Sequence, residues 1–168
     1  PYSKTGYGVN KAGKVTFQIP FEQQYKADGI DFTTTPMMAV AELDATELEF
    51  KHLCGYLEIP IYAITANEAQ AFVVKSIKLS TNDNVAISGG VSFQTEGVSD
   101  SDYKFDFGSS SSSYILMNCG EGVALGSAVE SATSFQFTIP AATYAEGFLL
   151  EITNDKGRVI RKVIRGEA

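Results

Sequence analysis

Residues 135–157 read F-Q-F-T-I-P-A-A-T-Y-A-E-G-F-L-L-E-I-T-N-D-K-G. Phe135, Phe137 and Ile139 alternate with Gln136, Thr138 and Pro140, and the alternation resumes at Phe148, Leu150 and Ile152. Side chains of a strand point to opposite faces in turn, so a period of two predicts two half-buried strands. Asn154-Asp155-Lys156-Gly157 follows, a run of residues that tolerate left-handed backbone or bond their own main chain. A third alternation, Val159-Arg161-Val163, begins just beyond it, so residues 154–157 are expected to close a hairpin.

The same period recurs along the chain. Val15, Phe17, Ile19 and Phe21 form one expected strand, and Leu57, Ile59 and Ile61 another, with Glu58, Pro60 and Tyr62 facing the other way. Val73-Lys75-Ile77-Leu79, Val85-Ile87-Gly89-Val91-Phe93, Tyr103-Phe105-Phe107 and Ile115 through Cys119 continue the series. Turn signals at Asn82-Asp83-Asn84, Gly89-Gly90 and Gly120-Glu121-Gly122 separate them. Residues 42–49 are read as at most a helical turn, and the serine run 109–113 as a mobile loop. Many short strands with almost no helical periodicity indicate an all-β sandwich or barrel.

The 168 residues suffice for one domain with a sizeable core, and a second full domain would be cramped. We divide the expected domain into N-terminal strands and a long loop, 1–45, and core strands, 46–168. A hydrophobic fraction of 44% suits a folded chain, and 11 Phe and 8 Tyr without Trp lean towards strands. The net charge is −7 and the basic residues are scattered except for Arg158 through Arg165, so a nucleic-acid surface is disfavoured. The sequence carries no signal peptide, membrane-spanning stretch or lipidation motif. It opens at Pro1-Tyr2 and is read as a mature or excised piece whose targeting segment lies elsewhere.

His52, the chain's one histidine, stands two residues from Cys54, one of its two cysteines. In a strand that spacing places both side chains on one face about 7 Å apart, too far for a thiolate–imidazole bond without a bend. No orienting carboxylate or oxyanion nest adjoins them. Zinc needs four ligands, and one His with two distant Cys cannot supply them. A Cys54–Cys119 disulfide is geometrically conceivable, while unpaired cysteine also favours the interior. Asp100, Asp102 and Asp106 present oxygens without the glycine and terminal glutamate of a calcium loop, and read as a solvated acidic segment. Gly120-x-Gly122 and Gly6-x-Gly8 lack the strand-to-helix setting of a phosphate loop. Tyr2, Tyr7, Tyr56, Tyr62, Tyr103, Tyr114 and Tyr144 offer material for a sugar platform, though tyrosine is also an ordinary strand residue. The residues therefore nominate no catalytic, cofactor or metal site, and an enzyme is not expected.

The order of several segments resembles a known family. I-P-x-x-Q-x-Y from Ile19 precedes P-M-M-A at Pro36, then L-x-F-K-H-L-C-G-Y-L-E-I from Leu48 and V-K-S-I-K-L-S from Val74. S-G-G-V-S-F from Ser88, C-G-E-G-V-A-L from Cys119 and the 135–157 stretch complete the series. The chain is similar over residues 15–165 to the fimbrillin-like proteins of Bacteroidota, subunits and accessory adhesins of surface fimbriae. That resemblance implies an antiparallel two-sheet sandwich, transthyretin-like or Greek-key, with seven or more strands. It also implies export as a lipoprotein, display at the outer membrane, and assembly with other fimbrial subunits or surface proteins by donation of a strand. Family members usually hold two such domains, so further strands upstream and a second domain downstream are expected, with any lipid anchor outside this chain. The stretch from Phe50 to Ile59 is then read as the entry to a core strand. Phe50 and Leu53 anchor it, Gly55 bends it, His52 lies on the rim and Cys54 in the core. A surface glycan-binding module without catalysis is the alternative.

Overall fold

The computed structural model of the protein describes residues 8–9, 13–39, 44, 46–95 and 104–166. Its strands are β1 (Gly8–Val9), β2 (Lys14–Ile19), β3 (Glu22–Gln24), β4 (Met37–Met38), β5 (Lys51–His52), β6 (Cys54–Ile61) and β7 (Val74–Thr81). β8 (Gly89–Gln94), β9 (Asp106–Phe107), β10 (Tyr114–Val123), β11 (Thr133–Pro140), β12 (Phe148–Asn154) and β13 (Val159–Ile164) follow. The fold is all-β, as the alternation predicts.

One layer is a five-stranded sheet ordered β13-β12-β7-β10-β3. The other elements are a sheet ordered β1-β2-β8-β9, the ribbon β11-β6 and the small ribbon β4-β5. Every pairing of the named strands is antiparallel except β3 with β10, which run parallel. That exception arises because the chain leaves β2 at Ile19, turns through Pro20 and Phe21, and crosses into the second sheet. The inward faces of β2, β6, β7, β8, β10, β11 and β12 all contribute to a single core. Phe135 and Phe137 from the ribbon, Ile77 and Leu79 from β7, and Ile115 from β10 are fully buried in it. This is the arrangement of a sandwich, with one continuous layer and one divided layer.

Several local expectations need correction. The alternation in β7 is broken at Lys75: Ser76 and Val74 are consecutive partners of Thr153 and Asn154 on β12. The bulge turns the strand over, so Val74 and not Val73 is buried. Gly120 and Gly122 form no turn between strands; they sit inside β10, at φ +55° and +112°, where its register with β7 shifts. A Cβ on Gly122 would meet Val73 Cγ1 at 2.5 Å, and no L-residue adopts that backbone easily. Gly89-Gly90 likewise lies within β8. Residues 109–113 are not a free loop, because Ser112 N donates to Ser88 O at 2.9 Å and Ser112 O accepts from Ile87 N at 2.8 Å. Phe21 is exposed beyond the end of β2, and Val85 precedes β8 on the surface.

The helix α1 (Ala66–Ala71) was not expected. Its signal is the capping box Thr65-Ala66-Asn67-Glu68: Glu68 N donates to Thr65 Oγ1, and Thr65 N donates to Glu68 Oε2, each at 3.2 Å. Residues 46–50 form no helix and pair with no strand, and the rest of the proposed helical turn at 42–49 lies mostly outside the described residues. The hairpin at 154–157 forms as read. Asn154 Oδ1 accepts from Lys156 N and Arg158 N, and Gly157 takes φ +74°.

Candidate functional site

His52 and Cys54 do not meet. The strand breaks at Leu53, whose N–H donates to Pro36 O, so β5 and β6 are separate and the two side chains part company. His52 is exposed and its Nδ1 shares a 2.7 Å hydrogen bond with Tyr56 Oη. Cys54 is buried, and burial pushes its thiol up to about 12. A thiol so protonated at neutral pH is a poor nucleophile. Cys119, also buried and free, is pushed up to about 11 for the same reason. No disulfide joins them. The break falls at Leu53 and not at Gly55, which pairs in register with Ile139, and Phe50 is exposed instead of anchoring the strand.

The remaining candidates are also dispersed. Asp106 lies exposed in β9 while Asp100 and Asp102 fall outside the described residues, among which no three His, Cys, Asp or Glu gather to hold a metal. Tyr2, Tyr7, Tyr103 and Gly6 also lie outside them. Tyr56 and Tyr62 share the outer face of β6, but six residues of strand separate them by roughly 20 Å. Lys78 Nζ sits 4.8 Å over the Tyr114 ring, and Tyr144 Oη donates to Pro140 O within the fold.

What the fold leaves open, among the described residues, is an edge. In an antiparallel ladder, residues direct both main-chain groups alternately towards and away from the partner strand. Asn154 N donates to Arg158 O at the hairpin, which assigns Ile160, Lys162 and Ile164 to bonding with β12. The N–H and C=O groups of Val159, Arg161 and Val163 therefore point outward from the sheet. Their side chains lie on its outer surface, whereas Ile160, Lys162 and Ile164 share the face of Phe148, Leu150 and Ile152 that meets the core. β13 nonetheless overhangs that core, and Val159, Ile160 and Val163 are all exposed.

Across from it, the ribbon offers a second unpaired edge. Thr138 bonds Gln23 through both main-chain groups, facing away from β6, so its non-bonded partner Tyr56 also faces away. Glu58 and Pro60 share that orientation, and Pro60 is tolerated because its missing N–H would have pointed to solvent. Between the two edges runs a groove of about 530 Å³, floored by Ile61, Ile64, Phe72, Leu125, Ile152 and Ile160. Lys156, Arg158 and Glu68 rim it. Arg161 holds Glu151 at 2.7 Å, with Lys78 on the same carboxylate at 3.7 Å.

A second concavity, wide and shallow at about 890 Å³, lies on the outer surface of β2 and β8, with Phe21, Gln18, Ser92 and Asp106 in its lining. The fold and its openings thus define a β-sandwich whose β13 flank is open beside an apolar groove among the described residues. In comparison with known proteins, the chain matches no family model, no curated protein and no solved structure. No helix among the described residues is long and apolar enough to cross a membrane.

Proposed function

We propose that the protein is a cell-surface fimbrial or adhesin subunit, or a fimbrillin-like lipoprotein, that works by accepting an extended strand at β13. The observation that carries this reading is the free edge of β13, with three residues' main-chain groups directed outward beside an apolar groove. Strand addition needs those two features together: main-chain bonds supply affinity, and alternate side chains of the incoming strand fill pockets. The motif order from Ile19 to Gly157 supports the placement in surface fimbriae. The family resemblance supplies no catalytic residues, and the scattered His52 and Cys54 add none.

The test is Val163→Pro in the full-length gene product. Proline removes an outward N–H while leaving the bonds to β12 intact, so folding is retained. Surface labelling of intact cells should be unchanged and high-mass assemblies should be lost. Assemblies that persist in the variant would overturn the reading. The alternative, a glycan-binding module, draws on exposed Phe21 beside the shallow concavity of β2 and β8. It requires binding to a polysaccharide in calorimetric titration that Phe21→Ala removes.

A further inference from the structure

Residues 47–50 read Glu-Leu-Glu-Phe and lie on the surface outside any helix or strand, with Leu48 60% and Phe50 58% exposed. Large apolar side chains alternating with carboxylates are the pattern of a strand that has one face to bury. Here that face has nothing to cover it among the described residues, and none of the four residues hydrogen-bonds within the described fold.

The open flank has the complementary chemistry. Lys156, Arg158, Arg161, Lys162 and Arg165 cluster on and beside β13, on a chain whose net charge is −7. Arg161 is held by Glu151, but the other four cations form no salt bridge among the described residues. Like charges across a strand pair repel, so two copies of β13 would not pair with each other, and a partner bearing carboxylates is favoured.

We infer that residues 47–50 of one copy add to β13 of a second copy as an antiparallel strand. This rests on the strand-addition reading above and names the donor. With Glu49 opposite Arg161, Phe50 falls opposite Ile160, Leu48 opposite Lys162 and Glu47 opposite Val163. Phe50 and Leu48 then enter the groove side, where Ile61, Phe72 and Ile152 are unfilled neighbours and the Lys162 stem covers Leu48. Glu47 and Glu49 stay on the outer surface, where Glu49 adds a second carboxylate to the Arg161 guanidinium. Donor and acceptor are different surfaces, so the contact is head-to-tail and propagates into a filament or a closed ring.

The experiment is sedimentation velocity on the purified chain across a wide concentration range, at low and high salt. Association is expected to grow with concentration and to weaken several-fold at high salt, because exposed charge pairs are screened. Glu49→Lys and Arg161→Glu should each weaken it by about tenfold, and an equimolar mixture of the two variants should restore it, since opposite charges again face each other. Phe50→Ser, on an exposed segment outside the core, should weaken it without lowering the melting temperature. A chain monomeric at every concentration, or association that Glu49→Lys leaves unchanged, overturns the inference. If the chain is monomeric while Val163→Pro still abolishes assemblies on cells, the donor is another protein and the strand-addition reading stands. If Val163→Pro has no effect either, both fall.

Discussion

The two flanks of the sandwich treat the same physical problem in opposite ways. At the β3 flank the ribbon strand β11 would show a bare edge, and at Thr138 one side chain closes it. Gln23 donates from Nε2 to Thr138 O at 2.8 Å and accepts from Thr138 N at 2.9 Å, imitating a strand with a primary amide. Thr34 Oγ1 shares a further 3.0 Å bond with Thr138 Oγ1, and Gln23, Thr34 and Thr138 are all buried. At the β13 flank no such device is present among the described residues. Main-chain groups of Val159, Arg161 and Val163 face outward, and the groove beside them keeps apolar walls. An edge that needed only protection could have been closed as the first was. The strand addition proposed above rests on this difference, and the cations beside β13 would favour a partner bearing carboxylates.

The comparison breaks first if core packing does not differ between the flanks. Phe135 is fully buried under the closed flank, against Tyr25 at 5.2 Å between ring centroids. Phe135→Ala should cost about 3–5 kcal/mol in urea unfolding. Ile160→Ala on the open flank should cost under about 1 kcal/mol, because its side chain already meets water. Equal losses would mean that the groove is closed in solution.

Gln23→Ala is the next largest expected effect. It leaves Thr138 N–H and C=O buried without partners, and an unsatisfied buried group costs about 1–3 kcal/mol. A total near 2–3 kcal/mol is expected from chemical denaturation. Gln23→Glu keeps the acceptor but turns the donor into an unfavourable carboxylate oxygen facing Thr138 O, so it should not rescue. A loss of only a few tenths for Gln23→Ala would show that water replaces the amide and that the flank is not sealed.

How far these flanks were readable from sequence differs between them. The strands came through because their core faces are large and strictly alternating: Phe135-Phe137-Ile139 and Phe148-Leu150-Ile152 are correctly placed, as is the hairpin at 154–157. Lys75 defeats the same rule, since a bulge adds a residue without altering composition, and only the two neighbouring strands reveal it. Gln23 stands in the I-P-x-x-Q-x-Y motif, yet its role depends on Thr138, 115 residues away. The basic alternation from Arg158 to Arg165 was visible as a strand, but that it is an outermost one follows from sheet order alone. The capping box at Thr65 stands in the sequence, but a two-turn helix has no room for the periodicity that would mark it as one.

Cys54 offers a smaller test of how deep the open flank reaches. Its thiol stands at the head of β6, and burial raises it to about 12 from an ordinary value near 8.5. The folded state thus prefers the protonated thiol. The stabilisation is complete below the ordinary value and drains away as pH rises through 9 towards 12. Stability should fall by about 1 kcal/mol per pH unit at the start of that window, and Cys54→Ala should flatten its share of the slope. An unchanged slope in the variant would mean that water already reaches the head of β6.

Glu151 gives the smallest effect and bears most directly on the cations of the open edge. The side-chain hydrogen bond from Arg161 is the main reason that its carboxyl lies below the usual range, with Lys78 adding to the same direction. A lowered folded value means stability that is present above about pH 4.3, the ordinary carboxylate value, and lost as pH falls through the folded one. The pair stands on the outer surface of the sheet, where solvent screens it, so Glu151→Gln should cost no more than about 0.5 kcal/mol at neutral pH. The difference from the wild type should disappear once the pH has fallen through the lowered folded value, and it should shrink in high salt. The variant also frees the Arg161 guanidinium, so a carboxylate-bearing strand should bind β13 more tightly while the fold itself is slightly weaker. Opposite signs for stability and binding separate an edge tuned for a partner from one that is merely held in place by its own salt bridge.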